Sequence, residues 1–137
     1  MTGLNNLKTN NMKKLLLITL LLLSCVMCLA QEPFVRKYTS SISVSNNVKG
    51  EWQETDVTVV FNAGGVSDIV FYYPNGYTRT FHQITNMVNG KTKNDEAYQI
   101  VECLDNSGTR MVIQFFDDDT CIRLILDVGY YIEFHKD

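Results

Sequence analysis

Histidine, cysteine and tryptophan are scarce in this chain. Its 137 residues include two histidines, four cysteines and one tryptophan. The cysteines and histidines do not show the spacing of a zinc site, and no glycine-rich phosphate-binding loop is present. Carboxylates spaced for acid–base catalysis are missing as well. The sequence therefore predicts no metal site, no cofactor and no catalytic residues.

A long hydrophobic run is also missing. A membrane-spanning helix needs about 20 consecutive apolar residues, whereas the longest apolar stretch, residues 15–29, is shorter and contains polar residues. This stretch follows the basic segment Met12-Lys13-Lys14 and precedes Ala30, an arrangement typical of a secretory signal peptide. We therefore expect residues 1–30 to be a signal peptide, with translation starting at Met12 and no membrane span in the mature chain. The same features predict export from a bacterial cell to the periplasm, the cell surface or the medium.

The end of this leader is compatible with two kinds of processing. Residues 22–25, Leu-Leu-Ser-Cys, resemble a bacterial lipobox, which would place a lipid anchor on Cys25. The chain stays apolar after Cys25, however, whereas a lipoprotein normally becomes polar at once. Cleavage after Ala30, with Cys28 and Ala30 as the small residues before the cut, leaves a polar N-terminus at Gln31 and is the favoured interpretation.

Positive charge is in short supply once the leader is removed. Cleavage after Ala30 leaves 107 of the 137 residues, residues 31–137, which are enough for one domain with one hydrophobic core. The leader takes three lysines and no acid with it, so 9 of the 12 Lys and Arg remain against all 15 Asp and Glu, a net charge of −6. Such an acidic exported domain is a poor candidate for binding nucleic acid or an anionic membrane.

Turn signals divide the rest of the chain into short β-type runs without helical periodicity. Pro33 and Pro74 are the only prolines, and neither interrupts a run. Residues 73–77, 105–109 and 126–130 each place glycine where a three-residue hairpin loop requires a positive φ, and each such loop fixes a strand register. The pattern predicts eight strands, at residues 34–45, 51–61, 67–73, 77–84, 96–104, 109–116, 121–126 and 130–135.

The predicted registers place apolar residues of neighbouring strands on one face. In the last hairpin, for example, Leu126 is expected to oppose Tyr130. The same alignment turns Cys103 inward and Cys121 outward on strands that are not neighbours, so we expect two free thiols. We predict a single all-β domain, an antiparallel eight-strand meander that forms either a small barrel or a two-sheet sandwich with a filled interior.

Residues 47–52, with the sequence Asn-Val-Lys-Gly-Glu-Trp, resemble the N-x-x-G-x-W motif of lipocalins. The resemblance covers six residues. It implies an eight-stranded barrel in which Trp52 closes one end, and it implies that this barrel carries a small apolar ligand.

A second candidate site is the face shared by Phe71, Tyr73, Tyr77 and Arg79 on two adjacent strands. As a ligand wall, these aromatic rings can stack a flat or acidic group while the Arg79 guanidinium donates two hydrogen bonds. As structure, the same residues provide cross-strand packing. Both interpretations are open from the sequence, and together with Trp52 these residues are the ones assigned to ligand binding.

The remaining polar groups are expected to be structural. Asp68 and His82 should form a solvated cross-strand pair, and residues 117–119 should form an acidic hairpin turn. His135 has no other metal-binding residue at a suitable spacing. We therefore predict a non-enzymatic binding or interaction module, with an unidentified protein as its partner. The alternative is a lipocalin-like carrier of a small apolar ligand.

Overall fold

The computed structural model describes residues 2–27 and 32–136. The chain divides into two compact units, Met1–Glu32 and Pro33–Asp137. The first contains helix α1 (Thr2–Met27), in which leucine, a strong helix former, is the most frequent residue. Within the described residues, no helix combines the length and the apolarity that a membrane span requires. The expected cleavage point after Ala30 and the new terminus at Gln31 lie outside the described residues.

The second unit consists of β-strands. In the described residues they are β1 (Phe34–Ser45), β2 (Val48–Lys49), β3 (Gln53–Ala63), β4 (Asp68–Tyr72), β5 (Thr78–Gln83), β6 (Val88–Lys91), β7 (Ala97–Asp105), β8 (Arg110–Phe116), β9 (Cys121–Asp127) and β10 (Tyr130–His135). The eight longer strands match the eight that the sequence predicted, whereas β2 and β6 are short and lie in segments predicted as turn or loop. The predicted all-β meander is confirmed.

The eight longer strands form a closed antiparallel barrel. Each pairs with the next one along the chain, in the order β1-β3-β4-β5-β7-β8-β9-β10. The last strand then returns to the first, where Ser41 pairs with Phe134 and Ser43 with Ile132. Because this pairing closes the sheet on itself, the molecule has the barrel architecture of the two that were predicted, and not the sandwich.

The hairpin turns fix most of the predicted registers. The pairings of the β4–β5 and β7–β8 hairpins are as predicted, and Gly129 of the last hairpin has the expected positive φ, 81°. One predicted pairing is wrong: Tyr130 pairs with Asp127, not with Leu126. A β-bulge next to the turn takes up Leu126 as an extra residue, and the strands return to the predicted register beyond it.

Inward-facing side chains from all eight longer strands fill the barrel. Tyr38, Phe61, Phe71, Phe81 and Phe115 are each at most 2 % exposed. Neighbouring rings of this core pack with their centroids 4.9–5.6 Å apart. Fully burying an apolar side chain such as Phe contributes about 1.5–3 kcal/mol relative to leaving it exposed. The predicted filled interior is therefore present and is a major source of stability.

The two cysteines of the barrel are free and face opposite sides of the sheet, as predicted. Cys103 belongs to the core. Cys121 precedes the inward-facing Ile122, so its side chain points to the outer face of the barrel. Neighbouring side chains nevertheless cover it, and Cys121 is buried.

Candidate functional site

An open groove lies at the end of the barrel that carries the β4–β5 and β7–β8 turns. It arises because β5 pairs with β7 only through residues 81–83, so that the first half of β5 separates from the β7–β8 turn. The groove has a volume of about 520 Å³ and is lined by Tyr73, Tyr77, Thr78, Arg79, Thr80, Asp105, Asn106 and Ser107. Three of the predicted ligand-binding residues, Tyr73, Tyr77 and Arg79, therefore share this Arg79 groove.

The half-buried Arg79 supplies the positive charge of the groove. Its Nη2 donates to the Met111 Sδ at 3.6 Å, and its central guanidinium carbon lies 5.1 Å from the centroid of the Phe81 ring. Each of the other three arginines of the chain forms an ion pair with Asp or Glu, whereas Arg79 forms none with the described residues. Among the described residues, therefore, no carboxylate accepts a hydrogen bond from the Arg79 guanidinium.

Asp105 is the acidic residue that lines the groove, and its carboxylate is engaged in its own turn. The Asp105 Oδ1 accepts hydrogen bonds from the Ser107 N–H at 2.9 Å, the Ser107 hydroxyl at 2.7 Å and the Thr109 N–H at 2.8 Å. The hydroxyl hydrogen bond from Ser107 is the main reason that the pKa of Asp105 is lowered, and the charge of Arg79 adds a smaller effect. Asp105 thus stays ionised without forming an ion pair with Arg79.

Two tyrosine rings form one side of the groove. The Tyr73 N–H donates to the Tyr77 carbonyl at 2.9 Å across the turn, and the ring centroids lie 5.6 Å apart. Burial raises the pKa of the Tyr73 hydroxyl. The charge of Arg79 and a hydrogen bond between Arg79 and the Tyr73 side chain act in the opposite direction. The hydroxyl is therefore a neutral hydrogen-bonding group. Together, the rings and the guanidinium suit a planar group that carries negative charge.

The structure places the other two predicted ligand-binding residues outside the groove. Phe71 is fully buried in the core, where its ring packs against Phe81 and Phe134. Trp52 is 54 % exposed, and its ring lies edge-on to that of His135 at a centroid distance of 4.8 Å. The difference arises because Phe71 lies within its strand, under the cover of neighbouring strands, whereas Tyr73 and Tyr77 lie beyond the strand ends. Phe71 is thus a core residue, and Trp52 belongs to the outer face.

Asp68 and His82 form the cross-strand pair that the sequence predicted. The His82 Nδ1 lies 2.9 Å from the Asp68 Oδ1, and its Nε2 lies 3.1 Å from the Asn106 Oδ1, a contact that was not predicted. The hydrogen bond to Asp68 is the largest effect that raises the pKa of His82. The imidazole is half exposed, and its described contacts include no hydroxyl or thiol that could act as a nucleophile. We interpret the pair as structural.

A polar cluster on the outer face was not predicted. Cys121 pairs directly with His135 across β9 and β10, and Glu133 lies two residues before His135 on the same face. The His135 Nε2 lies 3.6 Å from the Cys121 Sγ and 2.8 Å from the Glu133 Oε2, and the Arg123 Nε donates to the Glu133 Oε1 at 2.8 Å. Spacing along the chain does not indicate this outer cluster of Cys121, Arg123, Glu133 and His135. The register of the last hairpin does, because it places Cys121 opposite His135.

The outer cluster differs from a catalytic cysteine–histidine pair. In such a pair the thiol and an orienting side chain contact different nitrogens of the imidazole, whereas Cys121 and Glu133 both contact the His135 Nε2. Burial is the main reason that the pKa of the Cys121 thiol is raised to about 12, so the thiol is neutral and weakly nucleophilic near neutral pH. The sulfur, nitrogen and oxygen atoms of Cys121, His135 and Glu133 lie within 4.8 Å of one another, and such a donor set can hold a metal ion.

A scan against protein-family models and searches of curated proteins and of solved structures find no match for this chain. Function is therefore inferred from the two arrangements described above. The Arg79 groove offers a positive charge without a carboxylate partner in the described residues, whereas the outer cluster offers a set of metal-binding donors.

Proposed function

We propose that this chain is an exported, non-enzymatic binding module that takes a carboxylate-bearing ligand in the Arg79 groove. The proposal rests on one observation: the half-buried Arg79 guanidinium has no ion-pair partner among the described residues. Desolvating a charge without a partner is costly. A ligand carboxylate removes that cost by accepting two charge-assisted hydrogen bonds from the guanidinium.

The shape of the groove favours a planar carboxylate that is attached to, or lies next to, an aromatic ring. Tyr73 and Tyr77 supply ring faces against which such a group can stack. The first half of β5 carries backbone groups that are not paired with β7, so an extended peptide can form strand-like hydrogen bonds there. An aromatic acid and the C-terminus of a peptide present the same chemical group, and the experiment below distinguishes them.

The alternative, a lipocalin-like carrier of a small apolar ligand, has less support. A carrier of this kind needs an enclosed apolar cavity, whereas buried rings such as those of Phe61, Phe81 and Phe115 occupy the interior of this barrel. The resemblance to lipocalins implies that Trp52 closes one end of the barrel, but its ring packs against the outward-facing His135. The Arg79 groove is open to solvent and partly polar, which suits an acidic ligand better than an apolar one.

Titration of the isotope-labelled full chain with benzoate tests the proposal. Benzamide, a neutral molecule of nearly the same shape, is the control ligand. We expect benzoate, and not benzamide, to shift the backbone amide signals of residues 77–80 and 105–107 in a saturable manner. The R79Q variant should bind benzoate at least about tenfold more weakly, because it loses the charge-assisted hydrogen bonds. The R110Q variant is the matched control, because Arg110 is exposed and ion-paired with Glu102. Arg110 also directly precedes Met111, the residue that Arg79 contacts.

Two results would contradict the proposal. Equal responses to benzoate and benzamide would show that the carboxylate is not recognised. Equal losses of affinity in R79Q and R110Q would show a general effect of charge.

A short peptide that ends in tyrosine with a free C-terminus, compared with its C-terminal amide, separates the two sources of the carboxylate. A peptide that binds at least about tenfold more tightly than benzoate indicates a peptide ligand, and equal affinity indicates a small acid.

A further inference from the structure

The strand register brings a thiol, a carboxylate and an imidazole together on the outer face of the barrel. β9 begins at Cys121 and β10 ends at His135, and these two residues are direct partners in the sheet. Glu133 lies on the same face of β10, two residues earlier. Cys121 and Glu133 are buried, whereas His135 is partly exposed. The pairing of β9 with β10 thus holds the three side chains in contact.

The two distances from the His135 Nε2 to its neighbours are close to those of a tetrahedral zinc site, and the three ligand atoms all lie within 4.8 Å of one another. Zinc bonds of about 2.3 Å to sulfur and about 2.0–2.1 Å to nitrogen place those two atoms about 3.6 Å apart, and the Cys121 Sγ lies 3.6 Å from the His135 Nε2. A bound carboxylate oxygen would lie about 3.3 Å from the nitrogen. The Glu133 Oε2 lies at 2.8 Å, so it needs to move away by about half an ångström. We propose that Cys121, Glu133 and His135 bind a zinc ion, and that the Cys121 sulfur and the His135 Nε2 give up their protons as the ion binds.

Arg123 orients the carboxylate of this site. Its Nε donates to the Glu133 Oε1 at 2.8 Å, which leaves Oε2 directed at His135. The guanidinium is itself held against the rings of Phe116 and Tyr131, at 5.4 and 5.5 Å from their centroids. Hydrogen bonds from a second layer of residues commonly fix metal ligands in this way. The arrangement therefore presents one oxygen of Glu133 to the ion.

A cavity of about 160 Å³ beside Cys121 and His135 leaves room for a fourth ligand. Glu96 and Asp118 also line it, and their negative charge offsets the positive charge of Arg123. Three protein ligands and one open position are typical of zinc sites that bind a water molecule. Magnesium and calcium prefer oxygen ligands, whereas sulfur and imidazole donors favour zinc.

Cobalt(II), which takes the place of zinc and has visible absorption bands, tests the thiol ligand. The full chain is used with Cys25 and Cys28 replaced by serine, so that thiols outside the barrel do not bind the ion. We expect one equivalent of cobalt to bind and to produce a thiolate-to-cobalt charge-transfer band. The C121S variant should lose this band, and C103A, which removes the other barrel thiol, should keep it.

The second measurement is the affinity for zinc, and the two histidines of the chain provide a test variant and its control. Competition with a chromogenic chelator should show that zinc affinity falls at least about tenfold in H135Q and E133Q and is unchanged in H82Q. Trp52 is the only tryptophan, and its ring lies 4.8 Å from that of His135. Cobalt should therefore quench tryptophan fluorescence in H82Q and not in H135Q.

Several results would overturn the zinc proposal. Absence of the band at one equivalent of cobalt, or its persistence in C121S, would do so. Equal zinc affinities of H135Q and H82Q would overturn it as well. Circular dichroism without metal shows whether each variant is folded. If C121S does not fold, H135Q decides the question, because a partly exposed histidine at a strand end tolerates substitution better than a buried cysteine.

Discussion

Arg79 and Arg123 both lie over aromatic rings, but they differ in their partners. Arg79 lies 5.1 Å from the Phe81 ring centroid and has no ion pair with the described residues. Arg123 lies 5.4 Å from the Phe116 ring centroid and donates to Glu133 at 2.8 Å. A guanidinium that is paired within the protein has used its directional hydrogen bonds, whereas an unpaired one can offer them to a ligand. This difference supports the proposal that Arg79 binds a ligand, whereas Arg123 holds Glu133 in place.

The position of each arginine in the barrel explains this difference. Side chains fill the interior of an eight-stranded barrel, so an inward-facing charge is tolerated only near an open end. Arg79 occupies such a place, because the residues of β5 that precede Phe81 do not pair with β7. Arg123 lies on the outer face of β9, where Glu133 of the neighbouring strand is within reach.

The largest expected effect is a loss of stability, and it distinguishes Phe71 in the core from Tyr77 in the groove. Phe71→Ala should lower the free energy of unfolding by about 3–5 kcal/mol, because it leaves a cavity in the core. Tyr77→Ala should cost less than about 1 kcal/mol, since the side chain is 56 % exposed, but it should weaken benzoate binding. Chemical denaturation measures both values. Equal losses of stability in the two variants would place Tyr77 in the core and remove it from the groove.

The next effect compares the two arginines directly. Arg123→Met should lower the free energy of unfolding by roughly 2 kcal/mol, because it removes the ion pair between Arg123 and the buried Glu133, which among the described residues keeps only its contact with His135. The partial exposure of Arg123 keeps this value below that of a fully buried pair. Arg79→Met should leave the free energy of unfolding unchanged or raise it by up to about 1 kcal/mol, because it removes a partly desolvated charge that has no ion-pair partner among the described residues. Denaturation of the two variants under identical conditions checks this. A loss of stability in Arg79→Met as large as that in Arg123→Met would show that Arg79 has a structural role.

A smaller effect concerns the geometry of the hydrogen bonds in the groove. Arg79→Lys keeps the charge but loses the planar pair of donors, so benzoate should bind roughly threefold to tenfold more weakly than in the wild type. It should still bind more tightly than in R79Q. Calorimetric titration measures the three affinities. If lysine binds benzoate as well as arginine does, the groove recognises charge alone.

The smallest effect concerns His82, at the edge of the groove. Its pKa is raised above 6.5, mainly by the hydrogen bond to Asp68. A raised pKa in the folded state means that the pair stabilises the fold below about pH 6.5, and that this contribution is lost as the pH rises through the folded-state pKa. Asp68→Asn should lower the pKa of His82 toward its ordinary value. Titration of the imidazole by nuclear magnetic resonance checks this, and an unchanged pKa would contradict the assigned cause.

Much of the barrel could be predicted because its turns carry strong local signals. Glycines at three hairpin turns need a positive φ, and they fix registers that place apolar residues on one face. Local signals do not show whether β10 pairs with β1, so barrel and sandwich could not be distinguished. The bulge at Leu126 was missed for a related reason, because an extra residue next to a turn has no distinct pattern of hydrophobicity.

The candidate sites were only partly predictable. The β4–β5 register places Tyr73, Tyr77 and Arg79 on one face, but it does not show that β5 separates from β7 and opens a groove there. The burial of Phe71 depends on strands that are distant in sequence. The outer cluster was within reach of prediction, because the register of the last hairpin already places Cys121 opposite His135. Spacing along the chain alone does not indicate the cluster, because Cys121 and His135 are 14 residues apart.

The most direct test of Arg79 as the ligand-binding arginine is to follow the side-chain Nε–H signals of all four arginines during a benzoate titration. We predict that the Arg79 signal shifts and reaches saturation, while the signals of Arg36, Arg110 and Arg123 stay in place because their guanidinium groups remain paired with carboxylates. An Arg79 signal that does not move, or four signals that move together, would contradict the assignment of Arg79 to ligand binding.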